Sequence, residues 1–302
     1  MPLAAYKRWK KPRASNRTII SMTPIGIFLI GALVSLAPLG AAERVFVKAK
    51  VIAADPLSPT VKRIRFKLPK EYALRPAQFA LVRVPPEFVQ SWNARYGTSH
   101  KEVQRPYSFA TDPKRLPAAE FIVQLAAPPP GKDVPPGVAS TYLHGLKPGE
   151  TLEVSEAMGN LYEADESTRP IVLVAGGTGV APFVGLLEHW FRTKLNRRRE
   201  ILLFFGARRR QELLLDAQFM RWAATQPNFK YIPALSSPTP DDKWTGAKGF
   251  INAVVDRYFQ TSMDADVLIA GSPRMMQETV KVVKAKGVPA KQIRQDPIKV
   301  AP

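Results

Sequence analysis

The chain has 302 residues, 45% apolar and 23% charged, about two domains' worth of globular sequence and too apolar for wholesale disorder. It contains no cysteine, which excludes a disulfide framework, thiolate-held zinc, a Cys-ligated iron–sulfur cluster and a cysteine nucleophile; His100, His144 and His189 show no metal-ligand spacing. The net charge of +19 includes six basic residues and no acid in the first 42 positions, leaving +13 on the rest, a balance that suits an acidic partner, ligand phosphates, a negative membrane surface or nucleic acid.

Residues 1–18 form a basic tail, and 19–42 are uncharged, IISMTPIGIFLIGALVSLAPLGAA. As a helix this stretch would be about 36 Å long, enough to cross a bilayer. It is expected to be a single-pass transmembrane anchor. A cleaved signal segment ending near Gly40-Ala41-Ala42 and an organelle-targeting leader are the alternatives. Positive-inside counting would keep the tail in the cytoplasm and send the remainder across.

From residue 45 the pattern is of short strands. RVFVKAKVIAAD and TVKRIRFKL alternate, FALVRV (79–84) follows, then FIVQLAA (121–127) and TLEVSE (151–156), with turn chemistry at Lys147-Pro148-Gly149 and a Pro/Gly-rich loop at 128–137. This spacing predicts a small antiparallel barrel over 43–167. The stretch 87–104, with Trp92 and Tyr96, reads as a surface loop or as a flap beside a ligand.

Beyond Thr168 the pattern changes. IVLVAG (171–176), ILLFFGA (201–207), FKYIPAL (229–235) and DVLIAG (266–271) are apolar runs expected of strands buried on both faces. Helical stretches lie between and after them: Pro182–Lys194, Leu213–Ala224, Asn252–Tyr258 and Met275–Lys286. Alternating strand and helix predicts a Rossmann-like α/β domain with a parallel sheet over 168–302.

Three motifs carry chemistry. In VAGGTGVAP (174–182) a strand ends, glycines permit close backbone approach and a helix opens, an arrangement suited to a pyrophosphate. In Arg105-Pro106-Tyr107-Ser108 the arginine suits a phosphate, the tyrosine offers a flat face and the serine a hydroxyl; the same four residues also fit a plain barrel strand. Gly137-Val138-Ala139-Ser140 is a small-residue loop opening a short helix, again suited to a phosphate.

In this order and spacing, these motifs resemble the ferredoxin–NADP reductase superfamily, which includes cytochrome b5 reductases; the resemblance spans about 45–298. It implies an FAD-binding barrel followed by an NAD(P)-binding domain. Arg105 would contact the FAD pyrophosphate, with Pro106 stiffening the strand. Tyr107 would pack on the isoalloxazine, and Ser108 would sit near flavin N5. Tyr107 and Ser108 are thus the candidate catalytic residues. Val123 would lie along the flavin by backbone contacts, and Gly137, Val138, Ala139 and Ser140 would hold the FAD pyrophosphate. Gly177, Thr178, Gly179 and Pro182 would hold the nicotinamide dinucleotide, Gly271 and Met275 would stand beside the nicotinamide, and Ser236 would face the adenosine ribose. No metal is expected.

This sequence departs from the family pattern at Ala270, where a cysteine is usual; the change is expected to slow or retune transfer. It also departs in its QDPIKVAP tail, which lacks a terminal aromatic. Ser237, following Ser236, leans the cofactor toward NADH over NADPH, although Arg208, Arg209, Arg210, Lys243 and Lys248 stand nearby. The chain is therefore expected to be a membrane-anchored FAD-dependent NAD(P)H reductase. It would pass electrons to an acidic carrier protein, a ferredoxin or cytochrome, or within a membrane redox complex. The rival readings are a non-catalytic docking module in such a complex and a reductase of free flavin, quinone or ferric chelates. Because NAD(P)H is a cytoplasmic reductant, the folded part is expected on the cytoplasmic side, against the positive-inside count. No nucleic acid is expected, since no recognition motif accompanies the charge.

Overall fold

A computed structural model describes residues 44–128, 131–162 and 167–296. The expected anchor at 19–42 lies outside these residues. Among the described residues no helix is long and apolar enough to cross a membrane.

The first half is an antiparallel sheet of six strands: β1 (Phe46–Ser58), β2 (Val61–Lys67), β3 (Phe79–Arg83), β4 (Gln104–Ser108), β5 (Ala118–Gln124) and β6 (Thr151–Ser155), in the order β4-β3-β6-β1-β2-β5. A bridge between Phe109 and Phe121 joins the two outer strands and closes the barrel. Alternation puts Ile64 and Phe66 of β2, Ala80 and Val82 of β3 and Leu152 and Val154 of β6 into one core with Phe109 and Phe121. Phe66 and Phe109 each pack a ring within 5 Å of Phe121. β1 tolerates Pro56 because its pairing with β2 slips there and again after Val51, so no ladder donor is demanded.

Two helices belong to this half: α1 (Pro86–Tyr96) and α2 (Val138–Gly145). The stretch read as a surface loop or flap at 87–104 is instead α1 followed by β4. Proline opens the helix and Gly97, at φ 64°, ends it. Val89 and Trp92 are buried against the barrel, and Trp92 packs on Phe88 and Tyr96. The aromatics that marked the segment as unusual are thus its anchor to the core.

The second half is a parallel sheet of β7 (Ile171–Gly176), β8 (Ile201–Ala207), β9 (Phe229–Leu235), β10 (Ala247–Lys248), β11 (Asp266–Ala270) and β12 (Ile293–Gln295). The order is β10-β9-β8-β7-β11-β12. The crossover helices are α3 (Ala181–Thr193), α4 (Asp216–Thr225), α5 (Ile251–Tyr258) and α6 (Pro273–Ala285). Leu173 and Phe205 face a core with Phe183, Trp190 and Phe219, while Val174 and Phe204 face another with Val254, Val255 and Val283. Both faces are covered, which is why these strands read as unbroken apolar runs. The short β10 and β12 escaped the sequence because two- and three-residue edge strands carry no periodicity. α4 starts at Asp216 rather than Leu213, since Leu213 and Leu214 are buried in the turn that precedes it.

The chain builds outward from β7 through β8 and β9 to β10, then returns to place β11 on the other side of β7. Their C-terminal ends splay a crevice at this reversal, the position where open α/β sheets bind ligands.

Candidate functional site

At that crevice the glycine turn Gly177–Val180 forms a single 3-10 turn leading into α3, with Pro182 in the first helical turn. Its glycines are sterically enforced. A Cβ on Gly179 would lie 2.4 Å from the Ala270 carbonyl oxygen and 2.5 Å from the Gly271 Cα, so the turn packs backbone to backbone on the end of β11. Gly177 has φ +55°, a conformation side chains disfavour. The Met275 methyl closes the floor, 3.2 Å from where a Gly176 Cβ would sit. α6 is positioned by Ser272, whose hydroxyl accepts from the Met275 amide as the N-cap. Ala270 itself is fully buried in the core beneath the turn.

On the barrel side, β4 pairs with β3 over its whole length, so RPYS is a barrel strand. Alternation puts Arg105 and Tyr107 on one face. Arg105 is exposed, and its guanidinium makes one hydrogen bond to protein, Nη1 donating to the Gln104 carbonyl oxygen at 2.8 Å. Tyr107 lies half-buried against Phe121 at a ring separation of 5.9 Å. Burial raises its phenol pKa well above the ordinary value of 10, and the Arg105 charge opposes this only in part, so the ring stays neutral.

Contacts at the strand ends bring the halves together. Ser108 Oγ donates to Asp296 Oδ2 at 3.2 Å, and the Asp296 amide donates to the Ile269 carbonyl at 2.8 Å, which places the end of β4 at the tip of β11. At the end of β5, the Gln124 side chain approaches the glycine turn, with Oε1 3.9 Å from a Cβ built on Gly177. Two residues further on, Ala126 accepts from the Gly137 amide at 2.8 Å and so seats the start of α2. α2 has no side-chain cap, leaving the first-turn amides of Val138, Ala139 and Ser140 without intrahelical acceptors.

The predicted residues therefore divide. Arg105, Tyr107 and Ser108 lie on β4, the amides of 138–140 open α2, Gly177, Thr178 and Gly179 form the turn before α3, and Gly271 and Met275 stand between β11 and the first turn of α6. Pro106 pairs with Leu81 inside the barrel wall. Ser140 does not offer its hydroxyl: it donates to the Gly137 carbonyl at 2.9 Å and accepts from the Ala126 amide at 3.1 Å, locking the loop. Val123 turns its side chain into the core, and its carbonyl is met by His144 Nε2 at 2.9 Å. Ser236 ties β9 to β8 through its amide, which donates to Ala207 O at 2.9 Å. Of the arginines beside it, Arg209 Nε and the Arg210 amide both donate to the Asp242 carboxylate at 3.0 Å, so the Arg209 guanidinium is ion-paired within the protein.

Asp296, Gln124 and Phe250 went unnoticed in the sequence. Asp296 sits in a tail distinguished there only by its missing aromatic. Phe250 is 72% exposed at the start of α5, an uncovered ring at the same sheet edge as Ser236. The Gly249-Phe250 pair that follows Trp244-Thr245-Gly246 was its available signal.

The residues present fit both cofactors. The FAD side offers a guanidinium with spare donors, a neutral aromatic face and uncapped amides. The nicotinamide side offers a glycine turn in which a Cβ at Gly179 would collide with the backbone of Ala270 and Gly271.

Comparison with known proteins agrees. Residues 48–162 match the model of the oxidoreductase FAD-binding domain, and 173–281 match that of the oxidoreductase NAD-binding domain. The chain is 30% identical over 275 residues to one component of the Na(+)-translocating NADH-quinone reductase of Klebsiella pneumoniae, covering 82% of this chain and 67% of that protein. It is 32% identical over 222 residues to the component of the same name in Pseudomonas aeruginosa, covering 70% of this chain and 54% of that one. The chain thus spans roughly half to two thirds of these relatives. Among solved structures, the cytochrome b5 reductase domain of Ulva prolifera nitrate reductase superposes with a TM-score of 0.68 at 20% identity, over 83% of this chain and 97% of that one. Amycolatopsis cytochrome P450 reductase GcoB gives 0.66 at 22%, over 83% and 70%. With both halves matched in order, the chain belongs to the oxidoreductases that join an FAD-binding domain to an NAD-binding domain, shares its fold with the cytochrome b5 reductase domain above, and is an FAD-dependent NADH oxidoreductase.

Proposed function

We propose that this chain is the NADH-oxidising reductase of a membrane redox system, delivering electrons to a separate carrier protein or to a neighbouring member of a complex. The observation that carries the reading is the Ser108–Asp296 hydrogen bond. It supports the reading because it joins the end of β4, the strand expected to face the flavin, to the residue that follows β12 beside the expected nicotinamide site.

Bound FAD would supply the exchange between a two-electron donor and one-electron acceptors. The rest is the work of side chains and amides. Arg105 would pair with one end of the FAD pyrophosphate, and the amides of Val138, Ala139 and Ser140 would receive the other. Tyr107 would present a neutral ring to the isoalloxazine. Ser108 Oγ, already donating to Asp296 Oδ2, keeps its lone pairs for a donor in the groove; with Asp296 it would hold or pass a proton there. The turn Gly177–Gly179 and the first turn of α3 would take the dinucleotide phosphates, with Met275 and Gly271 flanking the nicotinamide. The exposed ring of Phe250 would cover the adenine.

This sequence has no cysteine, so none of its own residues could hold a Cys-ligated iron–sulfur cluster. The +13 left on the rest of the chain beyond residue 42 suits an acidic acceptor through steering of the encounter. The relatives are each named as one part of a multi-protein reductase, which supports a place in a larger complex. The apolar run at 19–42 would hold the protein at the membrane. The need for NADH would put the folded part on the cytoplasmic side, a point that protease accessibility in sealed vesicles decides. Anaerobic stopped-flow mixing of FAD-loaded protein with NADH and with NADPH tests the chemistry. Rapid bleaching near 450 nm with NADH is expected, and its absence with both nucleotides removes the proposal.

A further inference from the structure

The surfaces by which the halves hold each other are as specific as the groove. Gly185, three residues beyond Pro182 on α3, presses on the barrel loop that follows β4. A Cβ there would lie 2.4 Å from Thr111 O, 2.5 Å from Thr111 C and 2.6 Å from Thr111 N. This contact is backbone on backbone, so no flexible side chain can give way. The adjoining Asp112, 3% exposed, points its carboxylate at the same helix. Arg192 donates to it twice, Nε to Oδ2 at 2.6 Å and Nη2 to Oδ1 at 3.0 Å, and His189 Nδ1 lies 3.3 Å from Oδ1. His189 and Arg192 stand four and seven residues beyond Gly185, and the three therefore share one face of α3. The Lys114 amide donates to the same carboxylate at 3.1 Å, fixing the loop's shape.

We propose that this contact is a latch setting the spacing of the two cofactor sites, with Asp112, Gly185 and Arg192 as positioning residues. The inference rests on the oxidoreductase reading for its catalytic consequence. Chain connectivity makes the lever short. Thr111 is three residues past Ser108, and Gly185 is three residues past Pro182, so each arm runs within one helical turn's worth of chain from a candidate cofactor contact. α3 is stiff, and movement of the loop along it would shift Ser108 against the glycine turn. Reacting centres lose about a hundredfold in rate for an ångström of misplacement, whereas either cofactor alone would bind its own half as before. A latch therefore affects turnover while sparing affinity, which simple packing does not predict.

The test uses the full chain with Arg192→Ala, Arg192→Lys and Asp112→Asn. The Arg192 side chain is 43% exposed, so its replacement leaves the core intact. Hydrogen–deuterium exchange of the cofactor-free protein reads the latch directly: amides of 111–116 should exchange at least about fivefold faster in Arg192→Ala than in wild type, with β7 and β8 unchanged. In FAD-loaded protein, FAD content and the NAD+ dissociation constant should stay within about twofold of wild type. Bleaching by NADH should slow about tenfold in Arg192→Ala and Asp112→Asn and less in Arg192→Lys, which keeps the charge but loses the second hydrogen bond. Unchanged exchange at 111–116 would overturn the latch, and so would accelerated exchange with wild-type bleaching. If wild-type protein itself fails to bleach, the oxidoreductase reading falls, and the exchange data alone then decide whether the contact holds the halves together.

Discussion

The two halves of the groove are built from different materials. On the parallel-sheet side the candidate surface is main chain: Gly179 lies against Ala270 and Gly271 with no room for a methyl group, and Gly177 holds φ +55°. On the barrel side it is side chain: an exposed Arg105, a half-buried Tyr107 and a Ser108 held by a residue from the far end of the chain. A main-chain surface fails when atoms are added, because its neighbours cannot retreat. A side-chain surface fails when atoms are removed, because the fold beneath does not depend on them. The same groove should therefore answer oppositely to enlargement and to truncation.

Enlargement should give the largest effect. Gly179→Val must displace the Ala270 carbonyl; it is expected to destabilise the fold by about 1–3 kcal/mol and to weaken NAD+ binding more than about a hundredfold, or roughly 2.7 kcal/mol. Bound FAD should persist. Thermal melting and fluorescence titration check this, and retained NAD+ affinity would show that the main-chain cradle is not the binding surface. Truncation of Arg105 to alanine should come next. It removes charge-assisted bonds worth about 1.5–3 kcal/mol, or roughly 10- to 100-fold in FAD affinity, while the melting temperature of the cofactor-free protein stays put. Ser108→Ala should be smaller again: a loss of about 1–1.5 kcal/mol, roughly tenfold in the rate of bleaching by NADH, with FAD content unchanged. Asp296→Asn should fall between Ser108→Ala and wild type, since an amide still accepts from the hydroxyl.

The smallest effect concerns stability at the junction. Burial pushes the Asp112 carboxyl up, but hydrogen bonds from Arg192, the Lys114 amide and His189 outweigh it and leave its pKa below the usual 3.8. A folded value below the unfolded one means that the stabilisation is present above the unfolded pKa and is lost as pH falls through the folded one. Asp112→Asn should thus melt a few degrees lower than wild type near neutrality, and the gap should close as the pH falls below the ordinary carboxylate range. A constant gap across that range would assign the loss to packing instead of charge.

The parallel sheet was the more legible half, because burial on both faces writes itself as runs such as IVLVAG and ILLFFGA. The barrel's alternating strands were readable too, but α1 was not: its two buried residues, Val89 and Trp92, are too few to make a stripe among polar neighbours. At the crevice, the backbone pattern was visible: a buried strand, a glycine turn and a helix start follow one another as the sequence reads. What depends on tertiary return was not. Asp296 lies 188 residues from Ser108, and no spacing rule links them. Nor does the sequence show that the Ser140 hydroxyl is spent within its own loop, on the Gly137 carbonyl and the Ala126 amide.

The most direct test is to purify the full chain with added FAD, remove the excess, record the spectrum between 350 and 500 nm and add NADH without oxygen. The expected result is a yellow protein with about one FAD per chain that loses its 450 nm band within seconds. A colourless preparation, or a yellow one that NADH leaves unchanged, would contradict the reading of the groove as the meeting place of flavin and nicotinamide.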